Sequence, residues 1–281
     1  MNCKIFYRIS SNSLPKPKLP GANKLRCLDN FISAFGPEIN VLADNCVVQT
    51  LNELERRGLS TLTTDYGNAQ SFLFTLSQVQ YCPYDTLIYF VEDDYLHLPT
   101  SRTLLEEGIA SGVDYVTLYD HPDKYGPLYD GGETSKVFRT ASSHWRTSIS
   151  TCMTFASTAG ILKKDMETWH KWCSDTNPDD HGAFSYLNTQ GRKLAVCIPG
   201  AACHTDLNYS TIIGENWIEP WAIQMMLKTV EKSIYKGYDA DAIDAMEEVL
   251  HHQKGQHNDL TKLMLISEIE NHSKKKRASK L

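Results

Sequence analysis

The stretch Leu87–Pro99, LIYFVEDDYLHLP, runs five apolar residues (87–91) straight into three consecutive carboxylates, Glu92, Asp93 and Asp94. A continuous apolar run of that length reads as a strand buried on both faces. Three like charges at its end repel one another and are costly to desolvate together, so positive charge is expected to join them. In open sheets of parallel strands, ligands bind beyond the carboxyl ends of the strands, which is where this run places the triplet.

Working outward, strand and helix signals alternate. CKIFYRIS (3–10) reads as a strand and is followed by the Pro-rich connection SLPKPKLPG (13–21). In KLRCLDNFISAF (24–35), Leu25, Leu28, Ile32 and Phe35 share one helical face. EINVLAD (38–44) is a strand ending at Asp44, VVQTLNELERR (47–57) a helix stopped by Gly58, LSTLTTD (59–65) a strand and AQSFLFTLSQVQ (69–80) a helix. SRTLLEEGIAS (101–111) and DYVTLYD (114–120) repeat the cycle, so Asp44, Asp65 and Asp120 join the triplet at strand ends. This order predicts an α/β fold: a Rossmann-like, mixed but mainly parallel sheet flanked by helices.

Beyond Asp120, HPDKYGPLYDGGE (121–133) is a loop able to shape a second binding site, although its Pro and Gly are also ordinary turn residues. Residues 134–158, rich in Thr, Ser and aromatics, resemble hairpin strands. LKKDMETWHKWCSD (162–175) is expected as one helix with Met166, Trp169 and Trp172 inward, and NPDDHGAFSYLNTQG (177–191) as a second, capped helix. KLAVCIPG (193–200) is a strand leading to AACHTDLNYS. A main domain is expected over 1–220 and a helical C-terminal extension with a basic tail over 221–281.

The chain has 281 residues, 41% hydrophobic and 22% charged, which suits a globular protein and argues against global disorder. A net charge of −6 gives no reason to expect nucleic-acid binding. No run of about 18 apolar residues is present, so no transmembrane helix is expected. Eight scattered cysteines without a CxxC pair, and an opening MNCKIFYRIS without an apolar signal core, point to free thiols in a reducing, cytoplasmic setting. The terminal SKL matches a peroxisomal address, which is read as coincidence.

The acidic triplet offers oxygen donors suited to Mg2+ or Mn2+, with His204 in IPGAACHTD as a compatible further ligand. The alternatives are a solvated turn with a Lys or Arg neighbour, and a loop histidine hydrogen-bonded to Asp206. In SSHWRT, His144, Trp145 and Arg146 combine an aromatic face suited to a sugar ring with a cation suited to phosphate; a hairpin Trp beside a surface Arg is the plainer reading. YGNAQSF (66–72) is a weaker candidate for backbone N–H groups facing a phosphate.

Taken in order, VEDDYLH, YVTLYDHPDKY, SSHWRTSISTCMTFA, NPDDHGAFSYL and IPGAACHTD resemble GT-A fold glycosyltransferases. The resemblance is to family-two-like enzymes of bacteria and of large DNA viruses of algae, over residues 3 to about 220. It implies that Glu92-Asp93-Asp94 stands for the family's DXD-type motif, with Asp94 on the metal and Glu92 or Asp93 facing the donor ribose or the metal. The Glu at the first position departs from that pattern and leaves the choice between Glu92 and Asp93 open. It further implies that Asp44 meets the nucleobase or ribose and that Arg8 lines the nucleotide pocket. Asp180, with Asp179 second, would be the base for the acceptor hydroxyl; Asp179 is equally a helix N-cap.

The implied activity is a metal-dependent, inverting transfer of a hexosyl group from a nucleotide diphosphate sugar to a hydroxyl of a glycan or glycoconjugate. A UDP-sugar is the favoured donor and a GDP-sugar the second. Two other classes stay open: a metal-dependent phosphoesterase or nuclease, and a non-catalytic nucleotide-sugar-binding module.

Overall fold

The computed structural model describes residues 2–12, 16, 18, 19, 22–125, 132–206, 209 and 210. The apolar run at 87–91 lies in β4 (Leu87–Glu92), and its two faces are buried against different helices. Leu87, Tyr89 and Val91 share a core with Phe31 and Phe35 of α1 (Lys24–Phe35) and with Leu104, Leu105 and Ile109 of α4 (Ser101–Ala110). Ile88 and Phe90 face the opposite layer. There they meet Phe72 and Leu76 of α3 (Asn68–Gln78), Trp169 of α6 (Met166–Trp172) and Phe184 of α7 (Asp180–Thr189). Side chains alternate across a strand, so a strand sandwiched between two helical layers must be apolar on both faces, and that requirement produces the unbroken run. Each such side chain contributes about 1.5–3 kcal/mol by burial.

Parallel strands β1 (Cys3–Ser10), β2 (Asn40–Asp44) and β3 (Ser60–Thr64) form one half of the main sheet, with α2 (Val48–Arg56) between the last two. The other half adds β6 (Tyr115–Thr117), β7 (Val137–Arg139), β8 (His144–Ser148), β9 (Phe155–Thr158) and β10 (Leu194–Ile198). The order is β3-β2-β1-β4-β9-β6-β10-β8-β7. β9 runs antiparallel between β4 and β6, and β8 antiparallel to β10. The result is the mixed, mainly parallel sheet that the alternation of elements predicts. Beyond the carboxyl end of β4, β5 (Tyr95–His97) pairs with β11 (Ala202–His204) in a small antiparallel ribbon.

The strand order reverses at β1. From β1 the chain moves outward through β2 and β3, then returns to place β4 on the other flank of β1. The connections leaving β1 and β4 therefore part in opposite directions and open a crevice at their carboxyl ends.

Two expected elements differ. Residues 134–158 supply the β7–β8 hairpin, but β9 leaves it and inserts three positions from β8, beside β4. The helix expected over 162–175 is two helices, α5 (Ala159–Lys164) and α6, broken at Asp165. That carboxylate is buried, accepting from the Tyr115 hydroxyl at 2.7 Å and from Arg192 Nη2 at 2.7 Å. All eight cysteines are free thiols. Among the described residues no helix is long and apolar enough to cross a membrane. The expected C-terminal extension over 221–281 lies outside the described residues.

Candidate functional site

The acidic triplet turns the corner from β4 into β5 at the crevice, and each carboxylate has a different surrounding. Asp93 is buried, and its Oδ2 accepts from the Ser10 backbone N–H at 2.8 Å and pairs with Lys24 Nζ at 2.9 Å. It thereby ties the end of β1 to the start of α1. Burial and the charge of Asp94 nevertheless outweigh Lys24 and raise the Asp93 carboxyl above its ordinary range. Asp94 Oδ2 accepts from Lys18 Nζ at 3.0 Å and faces His204 Nε2 at 3.4 Å. Burial alone would raise Asp94; His204 and Lys18 override it and hold this carboxyl below the usual value. Its carbonyl accepts from the Thr205 N–H at 2.8 Å, which anchors the turn to the end of β11.

Glu92 lies on the opposite face of β4, in register with Arg8. Burial first, and then the charges of Asp94 and Asp180, push its carboxyl up to about 8 against the relief offered by Arg8. The surroundings of Glu92 therefore favour its protonated form. Next to it, Arg8 Nη2 donates to Asp44 Oδ2 at 2.9 Å. The Asp44 side chain is 0% exposed, and its other oxygen accepts from Thr64 Oγ1 at 3.1 Å, Tyr66 N at 2.8 Å and Gly67 N at 3.2 Å. Burial opposes ionisation here, but Arg8 and these donors keep the carboxyl below its ordinary value. Asp44 is thus a clamp that sets Arg8 and the 64–67 turn, and the N–H groups of Tyr66 and Gly67 are turned inward to it. Gly67 makes that turn with a φ of 83°, a conformation side chains disfavour. The buried Arg8 Nε and Ser71 Oγ have no hydrogen-bond partner among the described residues; both residues line, with Glu92, a recess walled by Phe6, Phe72 and Phe90.

Across from the triplet stands the start of α7. Asp179 is its N-cap, Oδ1 accepting from Gly182 N at 2.8 Å. Asp180 is the first helical residue; burial and the neighbouring Asp179 raise its carboxyl, against the His181 N–H that it accepts at 2.7 Å. Its charge is felt at Glu92 and at Cys152, so the fold brings the start of α7 to the end of β4. A polar chain missed at the sequence level flanks it. His121 Nδ1 pairs with Asp123 Oδ1 at 2.6 Å, and the buried Lys124 Nζ donates to Ser150 Oγ at 2.7 Å. Ser150 in turn meets His181 Nδ1 at 3.1 Å. The loop HPDKYG was the available signal, masked by its turn-like composition.

His144, Trp145 and Arg146 do not form the aromatic and cationic platform expected of them. β8 is four strands from β4, about 19 Å at normal strand spacing. Trp145 is fully buried under α4: a Cβ on Gly108 would lie 2.7 Å from its ring, and its indole N–H donates to Thr140 Oγ1 at 3.0 Å. Arg146, also buried, pairs with Asp120 Oδ1 at 2.7 Å and Glu133 Oε2 at 3.1 Å. His144 is exposed at the start of β8. Asp120, a predicted strand-end carboxylate, is consumed in the Arg146 pair.

The donor set does not fit a divalent ion in the way expected. His204 Nδ1 accepts the Asp206 backbone N–H at 3.0 Å, so the neutral ring carries its proton on Nε2, directed at Asp94. That nitrogen has no lone pair for a metal. The facing oxygen of Asp94 is already held by Lys18. Among the described residues no group of three or more His, Cys, Asp or Glu side chains is arranged to hold a metal.

No family model matches the chain, and no curated protein matches its sequence. Among solved structures, GalNAc-T7 with UDP, GalNAc and Mn2+ superposes with a TM-score of 0.52 at 10% identity, over 75% of this chain and 44% of that one. The fold is of the GT-A type. Staphylococcus aureus TarS, residues 1–349, gives a TM-score of 0.44 at 13% identity, over 70% of this chain and 58% of that one. A CMP-2-keto-3-deoxy-manno-octonic acid synthetase complexed with CTP gives 0.46 at 12%, over 81% of this chain and 100% of that one. This GT-A chain thus spans 58% of the TarS fragment and less than half of GalNAc-T7.

Proposed function

We propose that the chain is a glycosyltransferase that moves a sugar from a nucleotide diphosphate sugar, a UDP-sugar first and a GDP-sugar second, to a hydroxyl of a glycan or glycoconjugate. The observation that carries this reading is the pairing across one crevice of a cation-rich strand end (Arg8, Lys18 and Lys24 around Glu92–Asp94) with a carboxyl of raised basicity, Asp180. The GT-A fold is compatible with it.

The chemistry needs both halves. As the glycosidic bond to phosphate breaks, negative charge grows on the leaving diphosphate and the anomeric carbon becomes oxocarbenium-like; fixed positive charge at the strand ends stabilises that state more than the ground state. The acceptor hydroxyl must lose its proton as it attacks. Burial makes Asp180 a stronger base than an exposed carboxylate, and one base acting from the side opposite the diphosphate is the arrangement for inversion. Asp179, spent on the helix cap, is the lesser choice. Asp44 acts through Arg8, which it holds toward the nucleotide side. In the protonated form that its surroundings favour, Glu92 can donate a hydrogen bond to a donor oxygen without adding charge. The eight free thiols accord with a reducing, cytoplasmic setting.

The test is incubation with UDP- and GDP-sugars and free sugar acceptors, reading the released nucleotide. Nucleoside diphosphate with glycosylated acceptor is expected. Monophosphate would move the assignment to phosphoesterase chemistry, and binding without any turnover to a non-catalytic module.

A further inference from the structure

We propose that Lys18, held on Asp94, supplies the positive charge that meets the diphosphate, and that donor binding proceeds with divalent metal chelated. The inference rests on the function proposed above and concerns the same site. The acidic triplet needs positive charge beside it. Lysines of one segment stand beside it. Lys18 pairs with Asp94 at 3.0 Å, Lys24 with Asp93 at 2.9 Å, and Lys16 lies 3.8 Å from Asp206.

These lysines are placed by the backbone. Lys18 forms a bridge with Asp206, the Leu19 N–H donates to the Thr205 carbonyl at 2.8 Å, and Leu19 is buried with Cys27, Leu96 and Cys203. The connection after β1 is thereby stitched to the end of β11, next to His204. The Lys18 side chain keeps 26% of its surface exposed, and its ammonium has three protons of which Asp94 takes one. It can therefore hold Asp94 and present donors to a phosphate oxygen together.

The imidazole of His204 points the same way. A metal-binding imidazole normally uses its second nitrogen as an N–H donor, which fixes the tautomer with a bare nitrogen toward the metal. Here the second nitrogen accepts a backbone N–H instead, and a backbone amide cannot reverse that role. His204 Nε2–H consequently faces Asp94 at 3.4 Å, and the carboxylate serves to position Lys18 rather than to ligate an ion.

Calorimetric titration of the full chain with UDP and with GDP, in EDTA and in Mn2+, tests this. The expected result is binding of one nucleotide with affinities equal within about threefold in the two buffers. Lys18→Met should weaken that binding about ten- to a hundredfold, as loss of a charged hydrogen bond does, while Lys18→Arg retains most of it. Circular dichroism melts verify that both variants fold, and the electron paramagnetic signal of free Mn2+ should not fall when protein is added. Binding that appears only with Mn2+, or a folded Lys18→Met that binds like the parent, would overturn the inference and leave the glycosyltransferase reading standing. No nucleotide binding in either buffer would overturn both.

Discussion

Replacing Glu92 by Gln should make the protein more stable at neutral pH, and the gain should grow with pH. The Glu92 carboxyl is raised from 4.5 to about 8 by burial and by Asp94, with Asp180 and Asp93 adding and Arg8 opposing. Below the lower value, both folded and unfolded chains carry the proton and the group contributes no pH dependence. Between the two values the unfolded chain has lost the proton while the folded chain keeps it. The unfolded state then binds fewer protons, so stability falls as pH rises, by about 1.4 kcal/mol per pH unit from this one group. Above the folded value both states are ionised and the loss is complete. Gln has nearly the same shape, remains neutral throughout and removes that slope. From about pH 5.5 to about pH 7.5 the variant should therefore gain about 3 kcal/mol on the parent. Urea unfolding, followed through the buried indoles Trp145 and Trp169, measures it. Parallel pH profiles for the two proteins, or a parent more stable than the variant at the higher pH, would refute the claim that Glu92 is held protonated.

Three further outcomes follow from the site. Asp180→Asn should bind donor nucleotide within a few-fold of the parent but lose transfer by about 10²–10⁴-fold, read by calorimetry and by nucleoside diphosphate release. Asp44→Ala leaves Arg8 unpaired and strips the acceptor from Thr64, Tyr66 and Gly67; unfolding free energy should drop by about 3–5 kcal/mol, and nucleotide binding should weaken with it. Arg146→Met removes the guanidinium between Asp120 and Glu133. It should cost a similar amount by denaturant titration, yet leave nucleotide affinity in the folded protein unchanged, since β8 lies four strands from β4.

What could be read in advance follows the range of the interaction. The β4 run and its acidic end are local, and strand–helix alternation implied the mainly parallel sheet. The position of β9 between β4 and β6 was not legible, because pairing across a sheet is set by contacts distant in the chain. Trp145 misled for a related reason: SSHWRTS carries no sign of which face α4 will cover, and Gly108, the residue that admits the indole, is far away in sequence. The break at Asp165 depended on Arg192 and Tyr115, again distant partners. The cations of the acidic triplet sat in plain view in KPKLPGANK, but a Pro-rich connection has no periodicity from which to deduce that Lys18 and Lys24 turn back onto Asp94 and Asp93. Asp44 was legible as a strand-end carboxylate, whereas its enclosure by four donors emerged only from the register of β1, β2 and β3.

The ends of β1 and β4 are proposed to hold the diphosphate of a nucleotide sugar. The decisive measurement is a crystal structure of the protein with UDP or GDP. The diphosphate is expected in the crevice at the Glu92–Asp94 turn, within hydrogen-bonding reach of Lys18, and the nucleoside on the Arg8 side. A nucleotide bound away from the ends of β1 and β4, with this crevice empty, would contradict it.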